Sequence, residues 1–179
     1  MNIVFVRHGA TMWNLTGKWQ GSMDIELSDL GREQAVNAAK NLKLEDFSII
    51  YSSPKSRALE TANIIASETS KKIIVDSRIA ERNLGLFEGM TTVEISGIMG
   101  REMNFVDIVS CTDPVDGMES LEEQFRRGRE FLNEIKAKKM DAVVVSHGVM
   151  IGIMLELITG NDFRHSRIEN CQIIRGKIL

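Results

Sequence analysis

Two apolar runs in this sequence end in nearly the same word, Val6-Arg7-His8-Gly9 and Val145-Ser146-His147-Gly148. An imidazole can attack as a nucleophile, move a proton or bind a metal, so a histidine repeated at two strand ends is a place to look for chemistry. The other groups with chemical reach are Arg7 itself, Arg57 shortly after Ser52-Ser53-Pro54, and Glu81. Guanidinium forks recognise tetrahedral anions, and a carboxyl group trades protons. Taken singly, each has an ordinary use. A histidine after a strand can be hydrogen-bonded scaffold, Arg7 can pair with a carboxylate, Arg57 can sit on a helix surface, and Glu81 can be solvated. His165, between Arg164 and Ser166, has no comparable company and reads as a surface residue.

The elements that would position these groups are legible as pattern. Residues 3–6 form a short continuous apolar run, as expected of a strand covered on both faces. Residues 47–51, 73–75 and 142–145 read as further strands, and 172–174 as a last edge strand. Ser28 caps a helix that runs to about residue 42. Ser53 followed by Pro54 signals an N-cap and first helical position, giving a helix to about 68 with Arg57 in its first turn. Ser120-Leu121-Glu122-Glu123 has the form of a capping box that opens a helix to about 138. An apolar helix follows Gly148 to 157 or 158, and both prolines read as punctuation.

Strands alternating with helices predict an α/β fold, a three-layer α/β/α sandwich around a mostly parallel central sheet. The expectation is one domain over residues 1–179, with a short lid or insert at about 90–119, where glycines at 97, 100 and 117 interrupt the pattern. Ligands of such sheets bind beyond the carboxyl ends of the strands, which puts His8 and His147 on one rim.

Composition narrows the function classes. The chain has 179 residues, 43% hydrophobic and 26% charged, as for an ordinary globular protein. Net charge is −3 with both signs dispersed, so no nucleic-acid partner is expected. The cluster Lys136-Ala137-Lys138-Lys139 falls at a helix end, where cations meet the negative end of the dipole. No run approaches the ~18 apolar residues of a membrane span. Cys111 and Cys171 match no zinc or redox spacing and suit a reducing compartment, so the cytoplasm is expected.

Taken in order, the motifs resemble the histidine phosphatase superfamily, also called phosphoglycerate mutase-like. Arg7-His8-Gly9 looks like its signature, followed by Thr11-Met12-Trp13-Asn14, Gln20-Gly21 and Leu27-Ser28-Asp29-Leu30-Gly31-Arg32. Ser52-Ser53-Pro54-Lys55-Ser56-Arg57-Ala58-Leu59-Glu60-Thr61-Ala62 is similar to the segment that bears the second arginine, and Glu81-Arg82-Asn83-Leu84-Gly85-Leu86-Phe87-Glu88-Gly89 to the acid/base segment. Gly117-Met118-Glu119-Ser120 and Ser146-His147-Gly148 complete a likeness over roughly residues 3–170. Ala10, Met118 and Phe87 depart from it, standing where relatives often carry an acidic residue, glycine and tryptophan.

The resemblance implies a phosphomonoester hydrolase working through a phosphohistidine. In it His8 is the nucleophile, Arg7, Arg57 and His147 hold the phosphoryl oxygens, and Glu81 is general acid and base. Asn14, Gln20, Gly21 and the backbone of Gly148 fall at substrate-contact positions. Physical chemistry agrees with those roles. Phosphoryl transfer is mainly positioning plus cationic stabilisation of the equatorial oxygens. The nucleophilic imidazole must be neutral with one nitrogen donating, His147 suits the cationic partner, and a glycine after each histidine lets backbone approach closely.

Two histidines and a carboxylate also form a common metal-ligand set, against which the arginines would crowd a divalent cation; no metal and no cofactor are expected. Mutase-type phosphoryl transfer would need more cover than the short, apolar insert supplies. Its Ile95, Ile98, Met99, Met103, Phe105, Val106 and Ile108 are accompanied by Arg101 as the lone cation. Hydrolysis of a small-molecule phosphomonoester with an uncharged or aromatic remainder is therefore favoured, with Trp13 and Trp19 available to stack on it. A non-catalytic phospholigand-binding relative is the remaining class. No oligomeric partner is assigned.

Overall fold

Strand β1 (Asn2–Arg7) explains the layering. Its side chains alternate: Ile3 and Phe5 join Tyr51, Phe131, Val144 and Met150 in one cluster, while Val4 and Val6 join Ala39, Ala58, Ala62, Val143 and Val145 in another. A sheet apolar on both faces needs two covering layers, and the chain supplies them. The computed structural model describes residues 1–113, 115–162 and 165–178; Pro114 and Arg164 lie outside the described residues.

After β1 come a single turn, α1 (Met12–Leu15), then α2 (Asp29–Leu42), β2 (Ile49–Ser52), α3 (Ser56–Thr69) and β3 (Ile73–Val75). The segment predicted as an insert holds α4 (Thr92–Met99) and α5 (Phe105–Val109). The last elements are α6 (Leu121–Lys138), β4 (Ala142–Ser146), α7 (Gly148–Thr159) and β5 (Ile173–Lys177). Helices α2 and α3 cover one face of the sheet, and α6 and α7 cover the other. Sheet order is β3-β2-β4-β1-β5, parallel except for the antiparallel edge strand β5. The fold is the mostly parallel α/β/α sandwich expected.

Two helix starts are capped differently from expectation, and at α3 the difference bears on the site. Helix α3 begins at Ser56, with Lys55 as an N-cap that makes no side-chain hydrogen bond. Its first turn is capped from a distance: the Asp24 carboxylate accepts from the Ser56 N–H (2.7 Å) and hydroxyl (2.9 Å). Ser53 Oγ accepts from the Lys55 N–H at 3.3 Å, before the helix, and also bonds His147 at 2.8 Å. At α6, Ser120 accepts from the Glu123 N–H as a cap should, but Glu123 pairs with Arg126 rather than closing the box.

The insert packs partly on itself and partly on α7, where Val109 and Phe105 of α5 meet Val149 and Ile153. Leu84, Phe87, Ile95, Met103, Ile108 and Cys111 form a separate small core. Buried Arg82 ties it to the sandwich by donating to the carbonyls of Glu119 (2.8 Å), Val109 (3.2 Å) and Cys111 (2.9 Å). His165 is not a bare surface residue: it is partly buried, pairs with Asp162 at 2.8 Å and hydrogen-bonds Ser110 at the end of α5.

Candidate active site

Parallel pairing of β1 and β4 sets Arg7 opposite Ser146, so the next residues, His8 and His147, leave the sheet side by side. Their ring centroids are 5.2 Å apart. Gly9 allows this turn, because a Cβ there would lie 2.3 Å from the Gly31 carbonyl oxygen on α2. At Gly148 a Cβ would meet nothing closer than Arg7 Nε at 3.7 Å, so close backbone approach does not require that glycine. A side chain there would instead stand beside the Arg7 guanidinium.

His8 is 2% exposed and donates from Nδ1 to the Gly9 carbonyl at 2.7 Å, the tautomer that leaves the Nε2 lone pair free. Burial, then the charges of Arg57 and Arg7, push this imidazole well below its usual pKa, so it is neutral around pH 7. His147 is 0% exposed, and its Nε2 shares a 2.8 Å hydrogen bond with Ser53 Oγ. It was expected as a cation. Burial, Arg57, His8 and Arg7 instead lower its pKa well below the usual value, leaving it neutral in the absence of an anion.

Arg57 enters from the second residue of α3 and spends its terminal nitrogens on the carbonyls of Met23 (2.6 Å) and Gly21 (2.8 Å). Arg7 donates from Nη1 to the Ile168 carbonyl. Burial lowers both pKa values, that of Arg57 to about 10, so both arginines remain charged at neutral pH. Each is clamped at its tip, while Arg7 Nε and Arg57 Nε, both buried, have no partner among the described residues; nor does His147 Nδ1. Buried donors are rarely left unpaired, and such a group costs about 1–3 kcal/mol.

The Gln20–Gly21 loop is held by a residue to which the sequence reading gave no role. Glu88 Oε1 accepts from the backbone N–H of Ser22 (2.6 Å) and Leu84 (3.0 Å), and Gly21 takes φ 51° against it. Nearby, Asn14 uses Oδ1 in the α1 capping box and as acceptor from Asn170, leaving its amide nitrogen to serve a ligand. Gln20 accepts from the Thr11 hydroxyl at 3.0 Å.

Glu81, from the segment after β3, lines the same pocket with its carboxylate against the N-terminus of α7. One carboxylate oxygen accepts from the Val149 N–H (3.1 Å), the other from those of Met150 (3.2 Å) and Arg82 (3.0 Å). The approach to Glu81 is braced by Arg127, whose Nη1 donates to the Arg78 and Ala80 carbonyls at 2.6 Å and whose Nε and Nη2 donate to the two carboxylate oxygens of Glu119. Among the described residues no three His, Cys, Asp or Glu side chains converge as a metal's ligands would.

Arg7, His8, Asn14, Gln20, Gly21, Arg57, Glu81 and Gly148 all line one pocket of about 260 Å³, with His147 packed against His8 beneath it. The volume lies near the small end of small-molecule sites. Of the seven apolar residues predicted for the lid, Phe105 alone reaches the pocket, stacked on Trp19; Ile95, Met103 and Ile108 are buried in the insert's own core. Trp19 lines the pocket, whereas Trp13 packs over Gly89. Arg101 is paired with Asp113. The pocket's further cations come from outside the insert: Lys18, just after α1, and Arg167, in the segment before β5. No sequence signal singled out either one.

Residues 3–178 match the sequence model of the histidine phosphatase superfamily (branch 1). The chain is 40% identical over 176 residues to phosphoglycerate mutase-like protein 4 of Arabidopsis thaliana, covering 96% of this chain and 76% of that protein. It is 32% identical over 164 residues to phosphoserine phosphatase 1 of Hydrogenobacter thermophilus, covering 90% and 78%. Among solved structures, a mycobacterial glucosyl-3-phosphoglycerate phosphatase in complex with VO3 superposes with a TM-score of 0.87 at 28% identity, covering 97% of this chain and 90% of that one.

Proposed function

We propose, for a chain that belongs to the histidine phosphatase superfamily and is a phosphomonoesterase, that His8 carries the phosphoryl group and Glu81 handles the protons. One observation carries this reading. Three buried nitrogens without partners, Arg7 Nε, Arg57 Nε and His147 Nδ1, belong to the residues packed around the His8 ring. A phosphoryl group offers the acceptor oxygens these nitrogens lack.

The first step forms a bond from His8 Nε2 to phosphorus and breaks the ester P–O bond. The leaving oxygen takes the proton of the Glu81 carboxyl. In the second, water attacks phosphorus, gives its proton to Glu81, and the P–N bond breaks to restore neutral His8. Arg7 and Arg57 neutralise the equatorial oxygens in both steps. The dianion also supplies a counter-charge for His147, which takes up a proton as phosphate binds and donates from Nδ1.

Hydrolysis is favoured over transfer because the pocket is left open to water. Most of the insert's apolar side chains are spent on its small core and on α7, with Phe105 alone of the predicted lid residues at the pocket. The substrate is a small phosphomonoester. Lys18 and Arg167 favour one with a second anionic group, such as a carboxylate, over the uncharged remainder expected at first. Arg167 has an exposed contact to Glu169 at 3.9 Å, too loose to neutralise it. The similarity to a phosphoserine phosphatase fits that class. Cys111 and Cys171 are both free thiols, which supports a cytoplasmic site of action, and no helix among the described residues is long and apolar enough to cross a membrane.

The test is a turnover screen over phosphomonoesters with and without a second anionic group, with and without chelator. Acid-labile phosphate on His8 is measured alongside. Chelator-insensitive turnover, with phosphohistidine lost in His8→Ala, is the expected result. A binder that never becomes phosphorylated overturns it.

A further inference from the structure

Glu81 must spend part of each cycle as an acid, yet nearly everything packed against it suits only the carboxylate. The N–H groups of Arg82, Val149 and Met150 all donate to it. The charged groups facing it are cations: Arg7 from β1, Arg57 from α3 and Arg82 beside it in the chain. A protonated carboxyl group in such a place needs an acceptor for its O–H.

One residue brings such an acceptor. Gln124, the fourth residue of α6, is 0% exposed, and its Nε2 lies 3.5 Å from Glu81 Oε1, at the outer limit of a hydrogen bond. Its Oε1 is buried and has no partner among the described residues. Leaving that oxygen unpaired costs about 1–3 kcal/mol, which an apolar side chain of the same length would avoid. The other unpaired atoms around this site are nitrogens awaiting phosphate oxygens; this one is an acceptor beside the group that gains a proton.

We propose that Gln124 is a positioning residue for Glu81, holding the carboxyl group in both protonation states. With Glu81 ionised, Nε2 donates to Oε1. With Glu81 protonated, the carboxamide turns about its terminal torsion, which is broad and roughly two-fold, and Oε1 accepts the acid O–H. No solvent reaches the pair from the Gln124 side to compete. The acid proton is thereby kept on the carboxyl group until the leaving oxygen takes it. This inference rests on the reading of Glu81 as proton donor and acceptor.

The experiment compares kcat/KM, which reports the steps through His8 phosphorylation, for an alkyl phosphate and for p-nitrophenyl phosphate, whose leaving group departs without a proton. Gln124→Met should lose about tenfold on the alkyl ester, a fraction of the whole general-acid contribution, and keep the aryl rate within about twofold. Gln124→Glu keeps the shape, and so poses the same question if the methionine variant does not fold. A second carboxyl there can share one proton with Glu81, so this variant should recover more of the alkyl rate at acid pH than at alkaline pH. Equal effects on the two esters in both variants, or no effect in either, overturn the role of Gln124. Glu81→Gln in the same series separates the two readings. If it also shows no leaving-group dependence, the assignment of Glu81 fails first. If it alone shows one, Gln124 is scaffold only.

Discussion

The end of the pocket that we propose takes the phosphate, the phosphate end, is built differently from the mouth. At the phosphate end, His8, His147 and Arg57 are almost wholly buried and locked by short bonds to Gly9, Ser53, Met23 and Gly21. At the mouth, Lys18 and Arg167 stand on irregular segments in solvent, with Arg167 only loosely paired. The first arrangement suits a group common to every substrate, a phosphoryl whose charge must be met by preorganised donors. The second suits the part of the substrate that differs between relatives, where side chains can change without disturbing the core. Damage at the phosphate end should therefore be general and often destabilising, and damage at the mouth selective and cheap for the fold.

The largest test of that contrast is Arg57→Lys. A lysine keeps the charge but not the fork that binds both loop carbonyls and leaves Nε for phosphate, so kcat/KM should fall about 10²–10³-fold on every phosphomonoester. A loss confined to some substrates would break the comparison. Next, Ser53→Ala removes the hydroxyl that holds His147 and leaves a buried imidazole nitrogen unpaired. A stability loss of about 1–3 kcal/mol in denaturant titration should accompany a lower rate; a rate loss with unchanged stability would count against a preorganised floor.

The pH dependence of stability probes the same floor. Folded His8 and His147 have pKa values well below 6.5, whereas the unfolded chain protonates them near 6.5. The unfolded state thus binds more protons, and stability must fall as pH drops from 7 towards 5. The expected slope approaches about 1.4 kcal/mol per pH unit for each histidine below the unfolded pKa. Inorganic phosphate should flatten that slope in thermal melts by making protonated His147 welcome, and a slope indifferent to phosphate would remove His147 from the anion site. The smallest effect belongs to the mouth. Arg167→Ala should raise KM several-fold, by about 1 kcal/mol, for a carboxylate-bearing phosphomonoester. It should leave p-nitrophenyl phosphate and the melting temperature unchanged. Equal KM changes for both substrates would show that the arginine does not read a second anion.

How much was legible follows the same division. Residues 3–6 and 142–145 announce buried strands by continuous hydrophobicity, and a parallel sheet then forces His8 and His147 together on one rim. The ordered motifs singled out Arg7, Arg57 and Glu81, and all three line one pocket beside His8. Ser53 was misread because a serine before proline is a strong local cap signal. The cap came instead from Asp24, a residue 32 positions away from Ser56. Gln124, Lys18 and Arg167 were invisible, and Glu88, though inside a recognised motif, had no role assigned, for a related reason. Each is a common polar residue whose meaning comes from what lies across space.

The order of elements, the sheet and the choice of candidate site groups are local in origin, since hydrophobic period and strand-end chemistry act over a few residues. The protonation of the two histidines, the cap on α3, the charge of the mouth and the buried partner of Glu81 were decided by tertiary packing alone. They depend on desolvation and on contacts between segments far apart in the chain, and no local pattern encodes those.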